Sequence, residues 1–245
     1  MQKKHNITCK FKRVLIKISG ESIQGRSKFG IDINELKRVV CEIKSIVNLG
    51  IQVGVVIGGG NIFRGKELVN FGVNKVISDN VGMLSTVING LVLHDVMRRG
   101  SVNVHLMSSF PINSMCEIYH FEKAIRLLNK NHVVIFSGGL GNPFFTTDSA
   151  ACLRAIEIKA DIILKGTQVD GVYSSDPKKN NNSKLYKKIT YNEVLRRELK
   201  VMDLSAFVLA RDYKLPICIF NICIPGILRR IVEGKNEGTL IQSSC

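Results

Sequence analysis

The stretch INELKRVVCEIKSIVNLGIQVGVVIGGG, residues 33–60, runs from an amphipathic segment through a turn into a β-branched run that ends on three glycines. Leu36, Val39, Val40, Ile43, Ile46 and Val47 follow the i, i+3, i+4, i+7 spacing of one helix face, which predicts a helix over 33–49. Asp32 stands where an N-cap belongs, with Glu35 three residues on, and Gly50 takes the place favoured for a left-handed helix stop. The run 52–57 is short and continuously apolar, the pattern of a strand buried on both faces. A helix feeding such a strand is half of a parallel crossover unit.

The same alternation extends in both directions. Further strands are predicted over 13–19, 102–107, 132–137, 161–165 and 216–221, and helices over 81–99, 121–130, 148–159, 191–199 and 205–214. The helix over 81–99 ends on Arg98 and Arg99 before Gly100, and Thr190 with Glu193 forms a capping box for the one over 191–199. Strands and helices in turn predict an α/β fold with a mainly parallel sheet covered on both faces. No fixed-period repeat and no Pro/Ser-rich linker divides the chain, so a single domain is expected over 1–245. Residues 1–11 are expected as a disordered tail and 176–184 as an exposed loop.

Composition narrows the class. An apolar fraction of 45% excludes a disordered chain, and the absence of Trp makes the core aliphatic. The charge balance, 35 − 20 = +15, asks for an anionic partner, although the Lys/Asn run at 178–182 also fits compositional bias. Seven cysteines without a C-x-x-C pair, set mostly in apolar runs, argue against a disulfide framework or a zinc site. Lysines interrupt the first apolar run, so no signal peptide is read there. The uncharged stretch 80–94 is too short and too polar to span a bilayer. A reducing, cytoplasmic protein without membrane attachment is expected. A nucleic-acid-binding module would want a basic helix or an aromatic-studded sheet, and the sequence has neither.

In open α/β sheets ligands bind beyond the carboxyl ends of the strands. Those ends carry Lys17-Ile18-Ser19-Gly20-Glu21, Gly58-Gly59-Gly60-Asn61 followed by Phe63-Arg64-Gly65, the segment 138–148, and Lys165-Gly166-Thr167-Gln168-Val169-Asp170-Gly171. Glycines that admit backbone N–H groups, beside cationic side chains, suit phosphate. Gly60-x-x-x-x-Gly65-Lys66 imitates a P-loop, but Glu67 replaces the hydroxyl that ligates Mg2+. Taken singly, each feature has a plainer reading. Lys17 can be a solvated charge, the triple glycine a tight turn, Asp148 a first-turn acid, Asp203 a helix cap and Asp170-Gly171 a hairpin turn. Their joint occurrence at successive strand ends points to phosphoryl transfer between two phosphorylated ligands.

Lys17-Ile18-Ser19-Gly20-Glu21, Val55-Val56-Ile57-Gly58-Gly59-Gly60-Asn61-Ile62-Phe63-Arg64-Gly65, Gly141-Asn142-Pro143-Phe144-Phe145-Thr146-Thr147-Asp148 and Lys200-Val201-Met202-Asp203-Leu204 together resemble the bacterial uridylate kinases. The resemblance runs from about residue 12 to 241 and implies an amino acid kinase-like three-layer sandwich. It implies ATP contacts at Lys17, Ile18, Ser19, Gly20, Gly60, Arg64, Thr167, Tyr173 and Asp176. UMP contacts are implied at Gly59, Asp79, Leu140, Gly141, Asn142, Pro143, Phe144, Phe145, Thr146 and Thr147. Lys17, Arg64, Asp148, Lys165 and Asp203 are then the catalytic set: the lysines clamp ATP phosphates, Arg64 meets the acceptor or transferring phosphate, and Asp148 orients a lysine or hydrated Mg2+. Mg2+ is implied with ATP, without a protein metal cage. Also implied are a homohexamer, inhibition by UTP and activation by GTP.

One departure stands out. The arginines that meet effector GTP in enterobacterial members align here with His94, His105 and His132, near Arg98. Neutral imidazole offers one donor and no charge, so weakened GTP activation is expected. Two other readings are a relative of the same fold with a carboxylate, carbamate or isopentenyl phosphate acceptor, and a basic nucleic-acid-binding protein.

Overall fold

The structure, a computed structural model, describes residues 9–27, 29–175, 180, 182–199 and 201–243. Nine strands form one sheet: β1 (Arg13–Ile18), β2 (Gln52–Ile57), β3 (Val104–Ser108), β4 (Glu117–Ile118), β5 (Val133–Ser137), β6 (Ile162–Thr167), β7 (Lys188–Thr190), β8 (Ile217–Asn221) and β9 (Thr239–Gln242). Their order is β4-β3-β5-β2-β1-β6-β8-β9-β7. All pairings are parallel except β8 with β9. The six strands read from sequence are the parallel centre of this sheet. β4, β7 and β9 were not anticipated, because two to four residues are too few to display a period.

Helices cover both faces, which makes three layers. α1 (Ile33–Val47), α3 (Lys75–Arg99) and α8 (Ile227–Val232) pack on one face with Val14, Ile16, Ile18, Val53, Val55 and Ile57. α4 (Phe121–Asn129), α5 (Thr147–Glu157), α6 (Tyr191–Arg196) and α7 (Leu204–Asp212) pack on the other with Leu15, Val56, Val134 and Phe136. Alternate residues of β1 thus serve opposite layers, as the period of two requires. α2 (Gly65–Asn70) and α8 lie where no helix was expected; six residues each are too short to establish a helical face.

Local signals explain most boundaries. The Asp32 carboxylate accepts from the Asn34 and Glu35 N–H groups, and Gly50 adopts φ 84° past the end of α1. The Thr190 hydroxyl accepts from the Glu193 N–H at 3.2 Å. α3 starts at Lys75 and not at 81, because Asn74 caps it through the Val76 N–H at 2.8 Å. This helix is long and apolar enough to cross a membrane by composition alone, but it is docked on the sheet through Ser85, Thr86, Val87, Asn89, Leu93 and Met97. Its apolar Val76, Ile77, Leu84 and Ile88 face outward.

Two expectations need correction. The disordered tail does not extend to residue 11: Cys9 and Phe11 pack against the core, and the Lys10 N–H donates to the Val232 carbonyl at 2.8 Å. Residues 1–8 lie outside the described residues, as do 176–179 and 181 of the expected loop. Asp170-Gly171 is not a two-residue hairpin turn. It leads into an arm whose two sides meet further on, at the antiparallel bridge Tyr173–Leu185.

Candidate active site

Register builds the centre of the site. β1 and β6 are adjacent and parallel, with Lys17 directly opposite Lys165. Both side chains emerge on the α5 side of the sheet. Thr146 caps α5, its hydroxyl accepting from the Asp148 and Ser149 N–H groups, and so fixes Asp148 in the first turn above the two lysines. The Asp148 carboxylate lies 3.0 Å from the Lys17 ammonium and 2.6 Å from that of Lys165. Lys165 also donates to the Val201 carbonyl at 2.5 Å.

All three side chains are nearly buried, between 8% and 13% exposed. Burial alone would raise the Asp148 carboxyl; Lys17 and then Lys165 more than offset it, leaving it below the usual carboxylate range. Burial is also the largest influence on Lys165 and pulls its ammonium below the ordinary lysine value, with Asp148 working against that pull. Two cations held around one anion leave this cluster of three net positive, with the Asp203 carboxylate near enough to act on Lys165 as well. That arrangement attracts a polyanion.

Asp203 is the cap of α7, accepting from the Ala206 N–H at 2.8 Å. It is more than a cap. Its carboxylate also bonds the Thr146 and Ser149 hydroxyls, tying the starts of α5 and α7 together.

Beside this centre, over the ends of β2 and β5, lies an open cleft of about 540 Å³. Gly59, Gly60, Arg64, Asp79, Phe144, Phe145, Thr146 and Thr147 all border it. Gly59 is required by close packing: a Cβ there would stand 2.6 Å from that of Ser85 on α3. Asn89 of α3 fastens the turn from below, donating to the Gly58 carbonyl at 2.7 Å and to the Asn61 side chain at 2.6 Å. Arg64 pairs with Glu21 at 2.9 Å, joining the turns after β1 and β2. Asp79 accepts from the Phe144 N–H at 2.9 Å and pairs with Lys75, whose ammonium sits 5.9 Å from the Phe144 ring centroid.

Other singled-out residues stand elsewhere. Leu140 lines a separate apolar groove between α5 and α7. Gly141, Asn142 and Pro143 belong to the loop but do not border the cleft. Ile18 is fully buried in the core, so its side chain faces no ligand. Ser19 bonds Ser22 at 2.9 Å, and Gly20 packs against Asn61 so closely that a Cβ would fall 2.2 Å from its Oδ1. Thr167 ends β6, two residues past Lys165, and Tyr173 lies in the segment that follows the strand. Asp176 lies outside the described residues.

His105 and His132 stack at 5.1 Å with a 3.0 Å contact between Nε2 and Nδ1, and His94 and His105 line one cavity with Cys116 and Glu117. Arg98 is not in that cavity; it pairs with Asp95 at 3.4 Å. Lys75, Ser78, Met83 and Thr86 also border the cleft and were missed, since a helix face seen in sequence does not say what it faces.

The profile of the Amino acid kinase family matches residues 12–221. A uridylate kinase from Buchnera aphidicola subsp. Baizongia pistaciae is 67% identical over 238 residues, covering 97% of this chain and 98% of that protein. One from Serratia proteamaculans is 60% identical, covering 94% and 96%. The crystal structure of UMP kinase from Bacillus anthracis superposes with a TM-score of 0.94 at 45% identity, covering 96% of this chain and 97% of that one. The parallel sheet, the charged pair at its centre and these matches agree: the chain belongs to the amino acid kinase family, among the uridylate kinases.

Proposed function

We propose that the protein transfers the ATP γ-phosphoryl group reversibly to UMP, giving UDP and ADP on the route to UTP and CTP. The observation that carries this reading is the buried Lys17–Asp148–Lys165 cluster beside the 540 Å³ cleft. The UMP phosphate is already anionic, so no general base is needed; the work is to hold two polyanions in line and offset their charge. Lys17 and Lys165 clamp the ATP phosphates, and Asp148 keeps both ammonium groups at the reaction centre. Arg64, at the cleft edge, meets the acceptor or transferring phosphate. ATP lies over the ends of β1 and β6, toward Thr167 and Tyr173, and UMP fills the cleft between Asp79 and residues 144–147 after β5.

Among the described residues no three His, Cys, Asp or Glu side chains come together as metal ligands. Asp148 is committed to two lysines, and Asp203 to a helix N–H and hydroxyls. On this reading Mg2+ enters with the nucleotide phosphates.

The outward apolar residues of α3 support burial against another subunit; on this reading the assembly is a homohexamer of single-domain subunits working in the cytoplasm. UTP inhibits it, and GTP activates it weakly through the histidine cluster. A monomer mass, 27.3 kDa, by light scattering at micromolar concentration would defeat the assembly. The decisive assay offers ATP with UMP, CMP, glutamate or carbamate. UDP formation from UMP alone is expected, and phosphorylation of another acceptor in preference would replace this reading.

A further inference from the structure

Arg154, on α5, is only 5% exposed and has no part in the reaction as described. Its guanidinium carbon stands 3.7 Å from the Tyr119 ring centroid. One terminal nitrogen donates to Glu157 Oε2 at 2.6 Å, and the Tyr119 hydroxyl donates to the same oxygen at 2.6 Å. The other donates to the Ser109 hydroxyl at 3.0 Å, while Nε has no partner among the described residues. Ser109 in turn donates to the Gly139 carbonyl at 2.6 Å.

Gly139 sits in a turn with little support of its own. Gly138, Gly139 and Gly141 adopt φ 75°, 57° and 77°, and the internal hydrogen bond runs from the Gly141 N–H to the Gly138 carbonyl. Left-handed glycines lose the most freedom on ordering, so such a turn needs outside partners. From it the chain runs straight into Phe144, Phe145, Thr146 and Thr147 at the cleft wall. A buried guanidinium donating to a hydroxyl strengthens that hydroxyl's own donation.

We propose that Arg154 is a positioning residue for the acceptor: acting through Ser109, it holds the turn at 138–141 and thereby sets acceptor affinity without touching the ligand. This deepens the UMP kinase reading and rests on it for the identity of the acceptor. The two variants are Arg154→Met, which keeps the length and removes the donors, and Ser109→Ala, which deletes only a hydroxyl. Both should raise KM for UMP, by about tenfold in Arg154→Met if a charge-assisted bond is lost. KM for ATP should stay within about twofold, and Arg154→Lys should recover part of the loss.

A second readout is hydrogen exchange. Amides of 138–144 should exchange faster in both variants, with 53–57 unchanged. Equal increases in both KM values, an unchanged KM for UMP in folded Ser109→Ala, or unchanged exchange at 138–144 would overturn the proposal. If the wild type makes no UDP, the functional reading fails, and the exchange result still decides whether Arg154 holds the turn at 138–141.

Discussion

Replacing Asp148 with Asn keeps the size and the first-turn position of the side chain but removes the one anion between two buried cations. At an effective dielectric constant of about 20, each contact at 2.6–3.0 Å represents about 5–6 kcal/mol of gross attraction. Desolvation of three buried charges offsets much of this, and removing one partner of a buried pair costs about 3–5 kcal/mol net. For a chain of this size that is a fall in Tm of about 10 °C. Turnover of UMP should fall at least about a hundredfold, since the ammonium groups repel each other away from the transferring phosphate.

The pH dependence has a definite sign. Asp148 binds its proton less tightly in the folded chain, so its contribution is complete above an ordinary carboxylate pKa of about 4 and drains away as pH falls through the lowered folded value. The Tm difference between wild type and variant should therefore be full at neutral pH and narrow on acidification. Lys165, already lowered by burial, loses the carboxylate that raises it, so the alkaline limb of kcat/KM should move to lower pH. The assays are a thermal melt from pH 3 to 8 and ADP release with UMP across pH 6 to 10. A Tm within 2 °C of wild type at pH 7, with kcat within threefold, would refute the reasoning.

Lys17→Ala should lower kcat by about 10²–10³ with near-native circular dichroism, because a phosphate clamp is worth most in the transition state; wild-type kcat would remove Lys17 from the mechanism. Asp79→Asn should raise KM for UMP far more than KM for ATP, as Asp79 borders the cleft and holds the Phe144 N–H; equal effects on both would contradict this. GTP activation of UDP formation should be weak at pH 8. Burial and then His132 lower His105, so any recovery should come below pH 6.5, and strong, pH-independent activation would count against the histidine cluster as effector site.

Residues 33–60 determine a capped helix, a left-handed stop at Gly50 and a buried strand from local chemistry alone, because caps and periodicity act over a few residues. The same logic located the six central strands and showed which ends carry glycine and charge. Short elements escaped it: α2, α8, β4, β7 and β9 exist because longer neighbours give them something to pair with or cover. Asp203 illustrates the divide. Its cap role follows from a position just before a helix, but its grip on Thr146 and Ser149 needs two helix starts, 54 residues or more apart in sequence, to meet. Likewise nothing in the chain order says that Lys17 stands opposite Lys165, or that the wall of the cleft across from the loop after β5 is the first turns of α3. Register and helix docking join residues distant in sequence, and their energy comes from burial of surfaces that exist only once the sheet is assembled.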